Sequence, residues 1–218
     1  MRYLLAGGGT AGHVNPLLAL AEAIRQDQPD ANIYALGTAE GLEARLVPER
    51  GFELLTIEKV PFPRRPNAYA LKFFAKFAKA VRACRCEIRD RKIDVVVGFG
   101  GYASAPAYLA AALEKVPLVI HEANARPGIA NRLGALLTPH TAITHSIGSG
   151  KLSKALLAGL PLREDVVSAY RSASHDWRKA RADAKRQLGF DEAKPLVFIF
   201  GGSQGSVCLL YTSDAADE

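Results

Sequence analysis

The apolar positions of this chain come in short bursts. Each burst runs into glycine or a polar turn, and a longer amphipathic stretch follows. Residues 2–6 (RYLLA), 32–36 (NIYAL), 52–57 (FELLTI), 94–100 (DVVVGFG), 117–122 (PLVIHE) and 141–146 (TAITHS) read as strands. Helical patterning fills the gaps: a helix with Asn15 and Pro16 in its first turn that continues to residue 26, then 41–51 with Pro48 near its end, 68–91 and 103–115. The runs at 94–100 and 117–122 are continuously apolar, as strands are when helices cover both faces of a sheet. Strand and helix alternating through short loops predict an α/β fold with a doubly wound parallel sheet.

Past residue 158 the rhythm changes. GLPLRED (159–165) reads as a connector, a charged helix follows over 164–188, and KPLVFIFGGSQGS (194–206) is again a strand entering glycines. The expected organisation is a Rossmann-like domain over 1–160, then over 161–206 a linker helix and the opening strand and loop of a second, truncated α/β domain, and last a tail over 207–218. The tail, VCLLYTSDAADE, has no helical apolar period where the other glycine loops run into a helix. From Cys208 onward it matches the translation of a transposase-end sequencing adapter, so 207–218 is expected to be artefactual.

Charge changes this picture at one place. The 218 residues carry a net +6, but 61–92 alone holds ten basic residues opposed within the segment only by Glu87 and Asp90. The basicity is local, which argues against general nucleic-acid binding. On the helix there, Phe74, Phe77, Val81, Cys84 and Ile88 follow Leu71 in steps of three or four, with Phe73 at the stripe's edge and Lys72, Lys76, Lys79, Arg82 and Arg89 on the other side. Three cysteines without a second metal-ligand pair read as free thiols of a reducing compartment. No apolar run approaches the roughly 20 residues of a membrane span.

The chemistry gathers at glycine loops. In LLAGGGTAGHVNP (4–16), Gly7, Gly9 and Gly12 satisfy G-x-G-x-x-G between a strand and a helix. A dinucleotide site would also place an acid at the end of the second strand; Leu36, Gly37 and Thr38 stand there, and Glu40 comes late. No Lys-Ser or Lys-Thr follows the glycines, so a P-loop is excluded. What remains is a backbone that a ligand can approach closely and a helix N-terminus that favours phosphate. His13 at that helix mouth either caps and packs locally or acts as a general base. GFGGYASAP (98–106) and FGGSQGS (200–206) repeat the loop design, and HEANARPG (121–128) brings His121, Glu122, Asn124 and Arg126 to the same rim.

In order along the chain, GGGTAGHVNPLLALAEAI, LGTAEGLEARLVPERGFE, DVVVGFGGYASAPAYLAA, LVIHEANARPGIANR and FGGSQG resemble the MurG family of bacterial glycosyltransferases, from residue 1 to 206. The resemblance implies the two-domain GT-B architecture. It implies inverting transfer of N-acetylglucosamine from UDP-N-acetylglucosamine to undecaprenyl-diphosphate-linked muramoyl pentapeptide (lipid I), giving lipid II for peptidoglycan. It also implies peripheral attachment at the cytoplasmic face of the bacterial membrane. By the same resemblance Thr10, Ala11, Gly12, Asn124, Arg163 and Ser203 serve the donor, and the loops at Gly9 and at Gly100 and Gly101 hold the acceptor diphosphate. Glu122 supports acceptor binding and His13 is the base. Neither a metal nor another cofactor is expected. Leu160 departs from the asparagine common in the family at the domain junction.

A lipid-linked acceptor gives the basic helix a use. Phe62, Arg64, Arg65, Lys72, Phe73 and Lys76 are expected to meet an anionic membrane, at roughly 1 kcal/mol per well-placed cation. With most of a donor domain missing, residues 1–218 are expected not to turn over alone. Two other readings remain at this level. One is a docking or acceptor-binding subunit of a two-chain glycosyltransferase, against which FGGSQG on the same chain argues. The other is a nicotinamide oxidoreductase, which rests on G-x-G-x-x-G alone.

Overall fold

The computed structural model describes residues 1–63 and 68–198, with the backbone alone for 68–71. Arg64, Arg65, the side chain of Leu71, Ser203, the FGGSQGS loop and the 207–218 tail lie outside the residues described in full. The chain divides into two compact units, Met1–Arg163 and Glu164–Glu218.

In the first unit β1 (Arg2–Gly7), α1 (Ala11–Asp27), β2 (Asn32–Gly37), α2 (Glu43–Glu49), β3 (Glu53–Thr56), α3 (Ala68–Asp90), β4 (Val95–Gly100), α4 (Ser104–Glu114), β5 (Leu118–Glu122), α5 (Ile129–Gly134), β6 (Thr141–Ile143) and β7 (Leu156–Leu157) follow one another. The seven strands pair in the order β3-β2-β1-β4-β5-β6-β7, and every pairing is parallel. This is the doubly wound α/β sheet expected from the alternation of elements.

The strand period of two explains the two cores. Leu4 and Ala6 of β1, Leu36 of β2, Val96 of β4 and Leu118 and Ile120 of β5 face one layer, where α3 and α4 contribute Phe73, Val81, Cys84, Ile88, Ala107 and Tyr108. Leu5, Ala35, Val97 and Phe99 face the other, against Val14, Leu17 and Leu18 of α1 and Val47 of α2. Each buried leucine, isoleucine or phenylalanine contributes about 1.5–3 kcal/mol, which is why the central strands tolerate almost no polar residue. Burial pushes the Cys84 thiol up to about 12, so this cysteine is an inert packing group.

Four details differ from the pattern-based expectation. α1 begins at Ala11, not one turn later, so Pro16 lies inside the helix. The stretch 141–146 pairs only over Thr141–Ile143, and the short edge strand β7 carries two exposed leucines that no alternation announced. The buried stripe of α3 starts at Phe73, 7 % exposed, whereas Phe74 is 76 % exposed; from there it runs through Phe77, Val81, Cys84 and Ile88 as expected, so only its first aromatic differs. The last difference is in the second unit, where the single helix expected over 164–188 is two, α6 (Glu164–His175) and α7 (Trp177–Gln187). Asp176 interrupts them because its carboxylate caps α7, accepting the Lys179 amide at 3.0 Å. Beyond α7 the buried Lys185 ammonium donates to the carbonyls of Asp191, Glu192 and Lys194, and residues 195–198 form no strand.

At the amino end of the sheet Arg2 and Asp94 tie β1 to β4 by two side-chain bonds of 3.1 and 2.7 Å, and Asp94 also accepts the Arg2 amide at 2.8 Å. The guanidinium and amide hold the Asp94 carboxyl at about 2, below its ordinary 3.8. A depressed carboxyl stabilises the fold above its unfolded value and loses that contribution as pH falls through the folded one. Acid titration followed by circular dichroism is therefore expected to show a stability loss between about pH 4 and pH 2 that Asp94→Asn abolishes.

Candidate functional site

All strands being parallel, their carboxyl ends share one rim, and the strand order reverses between β1 and β4. That reversal opens the crevice where ligands bind in such sheets. The two loops that border it touch backbone to backbone. Gly9, Gly100 and Gly101 have φ of 87°, 92° and 92°, and a Cβ on Gly101 would stand 2.3 Å from the Gly8 carbonyl oxygen. Only glycine allows both the conformation and the approach. The register of β1 against β4 shifts at Ala6/Gly7, where the loop begins.

Thr10 is the N-cap of α1. The amides of His13 and Val14 bond the Thr10 carbonyl at 3.1 Å each. Helix geometry leaves the Ala11 and Gly12 amides without an intrahelical acceptor, directed out of the helix mouth. His13 Nδ1 lies 3.1 Å from the Gly8 carbonyl and 3.2 Å from the Thr10 hydroxyl. A carbonyl only accepts, so the ring proton sits on Nδ1 and Nε2 keeps its lone pair. That edge of the ring faces the β4 loop, 3.2 Å from the position of a Gly100 Cβ. Among the described residues Nε2 has no hydrogen-bond partner, and it is the atom of the ring that faces the crevice.

A buried polar chain joins this crevice to the β5 loop. The Gly100 amide donates to Tyr108 Oη at 3.3 Å, and Tyr108 donates to Asn131 Oδ1 at 2.7 Å. Asn131 Nδ2 in turn reaches the His121 carbonyl at 3.2 Å and Glu122 Oε2 at 3.0 Å. Burial pushes the Tyr108 hydroxyl well above its usual range, so it stays a neutral donor. Glu122 is 1 % exposed and also accepts the Asn124 amide and side chain and the Gly128 amide, at 2.8 to 3.0 Å. Its oxygens are taken up by its own loop, so Glu122 orients the exposed Asn124 and does not itself present a ligand contact.

Gly9, Thr10, Ala11, Gly12, His13, Gly100 and Gly101 thus share the crevice, and Glu122 and Asn124 stand on the neighbouring loop. Two rim residues turn elsewhere. His121 holds the Gly159 carbonyl through Nε2 at 2.8 Å. Arg126 opens on to a cavity of about 750 Å³ beside α5, shared with Ile129, Arg132, Leu133 and Lys151. Arg163 ends the first unit, and Ser203 falls outside the described residues.

Two features went unread in the sequence. The first is Glu43, 1 % exposed, which reaches from α2 to the end of β2. It accepts the Gly9 amide at 2.8 Å and the Thr38 amide and hydroxyl at 2.8 and 2.9 Å. An acid does therefore occupy the place of a ribose carboxylate, but protein donors fill its oxygens, which removes the dinucleotide reading. The second concerns the basic helix. Glu58 pairs with Lys76 and Lys79, Glu114 with Arg85 and Arg89, and Glu53 and Glu87 with Arg91, so Glu53, Glu58 and Glu114, all from other elements, offset part of the local charge. Phe73 belongs to the core, not to the surface, and Phe62 stacks against it with ring centroids 5.5 Å apart. Phe74, Lys72, Lys79, Arg82 and Arg89 are exposed on that helix.

A Rossmann-like sheet that builds its crevice from glycine loops and a helix-borne histidine, with no free ribose carboxylate, belongs to the class of GT-B glycosyltransferases. Residues 3–142 match the family model described as the glycosyltransferase family 28 N-terminal domain. The protein of Clavibacter sepedonicus named UDP-N-acetylglucosamine--N-acetylmuramyl-(pentapeptide) pyrophosphoryl-undecaprenol N-acetylglucosamine transferase is 52 % identical over 94 % of this chain and 54 % of its own length. A Bifidobacterium longum protein of the same name is 49 % identical over 98 % of the chain and 56 % of itself. The crystal structure of Acinetobacter baumannii MurG superposes with a TM-score of 0.56 at 29 % identity, over 66 % of this chain and 40 % of that one. A UDP-GlcNAc 2-epimerase from Neisseria meningitidis, 14 % identical with a TM-score of 0.54 over 85 % of this chain and 54 % of its own, shares the fold. The chain belongs to glycosyltransferase family 28, in its MurG branch. It spans about half the length of the curated relatives it matches.

The glycines of the crevice are separable by experiment. Gly101→Ala combines a left-handed φ with a backbone clash and is expected to cost about 3 kcal/mol in urea unfolding. Gly12→Ala, whose Cβ would meet nothing nearer than 3.8 Å, is expected to stay within about 0.5 kcal/mol of the parent.

Proposed function

We propose that this chain is the acceptor-side part of an inverting glycosyltransferase that moves N-acetylglucosamine from UDP-N-acetylglucosamine to lipid I, forming lipid II. The observation that carries the reading is His13. Its Nδ1 is fixed by the Gly8 carbonyl and its Nε2 is free beside Gly100, at the mouth of a helix whose Ala11 and Gly12 amides point outward. The names of the relatives supply the substrates.

In this reading Nε2 takes the proton of the acceptor sugar hydroxyl as its oxygen bonds the anomeric carbon. The bond from that carbon to the UDP oxygen breaks on the opposite face, so configuration inverts and UDP leaves with the electron pair. The acceptor diphosphate lies against the glycine loops at Gly9 and at Gly100 and Gly101, where the adjoining N-terminus of α1 offsets its charge without a metal. Thr10, Ala11, Gly12, Asn124, Arg163 and Ser203 serve the donor, and Glu122 serves by orienting Asn124. In a form as long as the relatives, His13→Ala is expected to lower kcat by about 10²–10⁴ while KM for UDP-N-acetylglucosamine changes less than about threefold. A parallel loss in donor affinity alone would remove the base assignment.

The membrane reading is retained with a different aromatic. Among the described residues no helix is long and apolar enough to span a bilayer. Exposed Phe74 beside Lys72 and Arg82 supports peripheral docking on the cytoplasmic leaflet, with Arg64 and Arg65 as further contacts. Co-sedimentation of the 218-residue chain is expected to favour anionic over neutral vesicles and to weaken with added salt and with Phe74→Asp. Equal partitioning on to both vesicle types would remove this part.

A further inference from the structure

We infer that Glu43 is a positioning residue for His13, acting on it through the Gly8–Gly9 peptide group. The inference goes beyond the base assignment above and rests on it for its functional meaning.

The geometry is a clamp on one peptide plane. The Gly9 amide donates to Glu43 Oε2 at 2.8 Å, and the Gly8 carbonyl accepts from His13 Nδ1 at 3.1 Å. Those two groups are the N–H and the C=O of the same trans peptide, which point in opposite directions. Glu43 therefore stands behind the plane and His13 in front of it. Turning this peptide would break both bonds together. A carboxylate on the N–H also polarises the peptide and strengthens its carbonyl as an acceptor. The strengthened carbonyl holds the His13 proton on Nδ1 and leaves the lone pair on Nε2, facing the crevice.

The surroundings of Glu43 are built for that single placement. Its other oxygen accepts the Thr38 amide and hydroxyl at 2.8 and 2.9 Å, so the carboxylate cannot swing without losing three donors. The slot around it is made by glycines from three separate segments. A Cβ on Gly8, Gly37 or Gly41 would come within 2.3, 2.3 and 2.1 Å of its side-chain atoms. At 1 % exposure Glu43 touches no ligand itself. It decides which loop group faces inward and which remains for the histidine. Gly9 has φ of 87°, which is what turning its amide back towards β2 requires.

Gly41 gives a test that leaves the loop and the histidine chemically unchanged. The three atoms nearest its Cβ all belong to the Glu43 carboxylate, so Gly41→Ala displaces that group from outside the crevice. The 218-residue chain, with ¹⁵N-labelled histidine, is examined by long-range ¹H–¹⁵N correlation at mildly alkaline pH. His13 is assigned by its loss in His13→Gln. The parent is expected to show His13 with its proton on Nδ1. Glu43→Gln and Gly41→Ala are each expected to shift the ratio of the two tautomers towards Nε2–H by about tenfold. Thr38→Val, which keeps the carboxylate but removes one donor, should give a smaller shift and covers the case in which the harsher variants fail to fold. Asp94→Asn, at the opposite end of the sheet, should lower stability and leave the tautomer in place, which separates positioning from general loosening.

An unchanged His13 tautomer in the folded variants would overturn the inference, as would a parent already protonated on Nε2. A titration of uniformly ¹⁵N-labelled chain with inorganic pyrophosphate separates this from the functional reading. Shifts of the Gly9, Gly100 and Gly101 amides support the diphosphate site. Their absence, with the tautomer still dependent on Glu43, would overturn that site and uphold the coupling.

Discussion

The structure turns on one close approach of backbone to backbone. Where β1 and β4 leave the sheet, Gly8 and Gly101 meet at a distance that leaves no room for a side chain on Gly101. The crevice follows from it. The two loops cannot separate without undoing the β1–β4 pairing, and they cannot carry larger residues without separating. The functional rim is therefore an extension of the sheet's own hydrogen bonding, with the stiffness of the core beneath it. A histidine mounted on the first turn of α1 inherits that stiffness.

Two buried carboxylates convert the other loops into equally fixed objects. Glu43 and Glu122 are each 1 % exposed and are satisfied by donors from the loops they hold. Such groups are costly to bury unless fully hydrogen-bonded, and both are. Their chemistry is alike but their reach differs. Glu122 organises its own loop and so presents Asn124. Glu43 comes from a different element and ties together the ends of β1 and β2. The Tyr108–Asn131 chain links the β4 loop to the β5 loop in the same manner. The ends of β1, β2, β4 and β5 thus form one connected polar layer beneath the ligand surface.

The alternation of strands, glycines and helices was legible because parallel strands buried on both faces are continuous apolar runs, and because glycine marks each strand end. The crevice residues from Gly9 to His13 were legible for the same reason. Glu43 was not, since in GLEARLVPERG it reads as one more charged residue at the start of a surface helix; nothing local says that it points inward. β7 escaped notice because two exposed leucines make no pattern. The first aromatic of the α3 stripe was misassigned because Phe73 and Phe74 are adjacent and equally apolar, and the packing of Phe62 and Phe77 around Phe73 distinguishes them. The charge of that helix was overcounted because Glu53, Glu58 and Glu114 lie far from it in sequence and beside it in space.

The position of β1 in the sheet also sets the order in which the protein is made. β1 is synthesised well before β4, one of its neighbours, and the Arg2–Asp94 bond spans 92 residues. The Ser104 hydroxyl lies 3.0 Å from the Ala6 carbonyl across a separation of 98. At about 5–20 residues per second, a ribosome takes roughly 5–20 seconds to travel from β1 to β4. During that interval β1 has only β2 and β3 to pair with, and one of its edges is open. Contacts this distant in sequence also fold slowly once the chain is complete. The centre of the sheet, and with it the crevice, is then among the last parts of this unit to close, and β1 spends that interval exposed along one side.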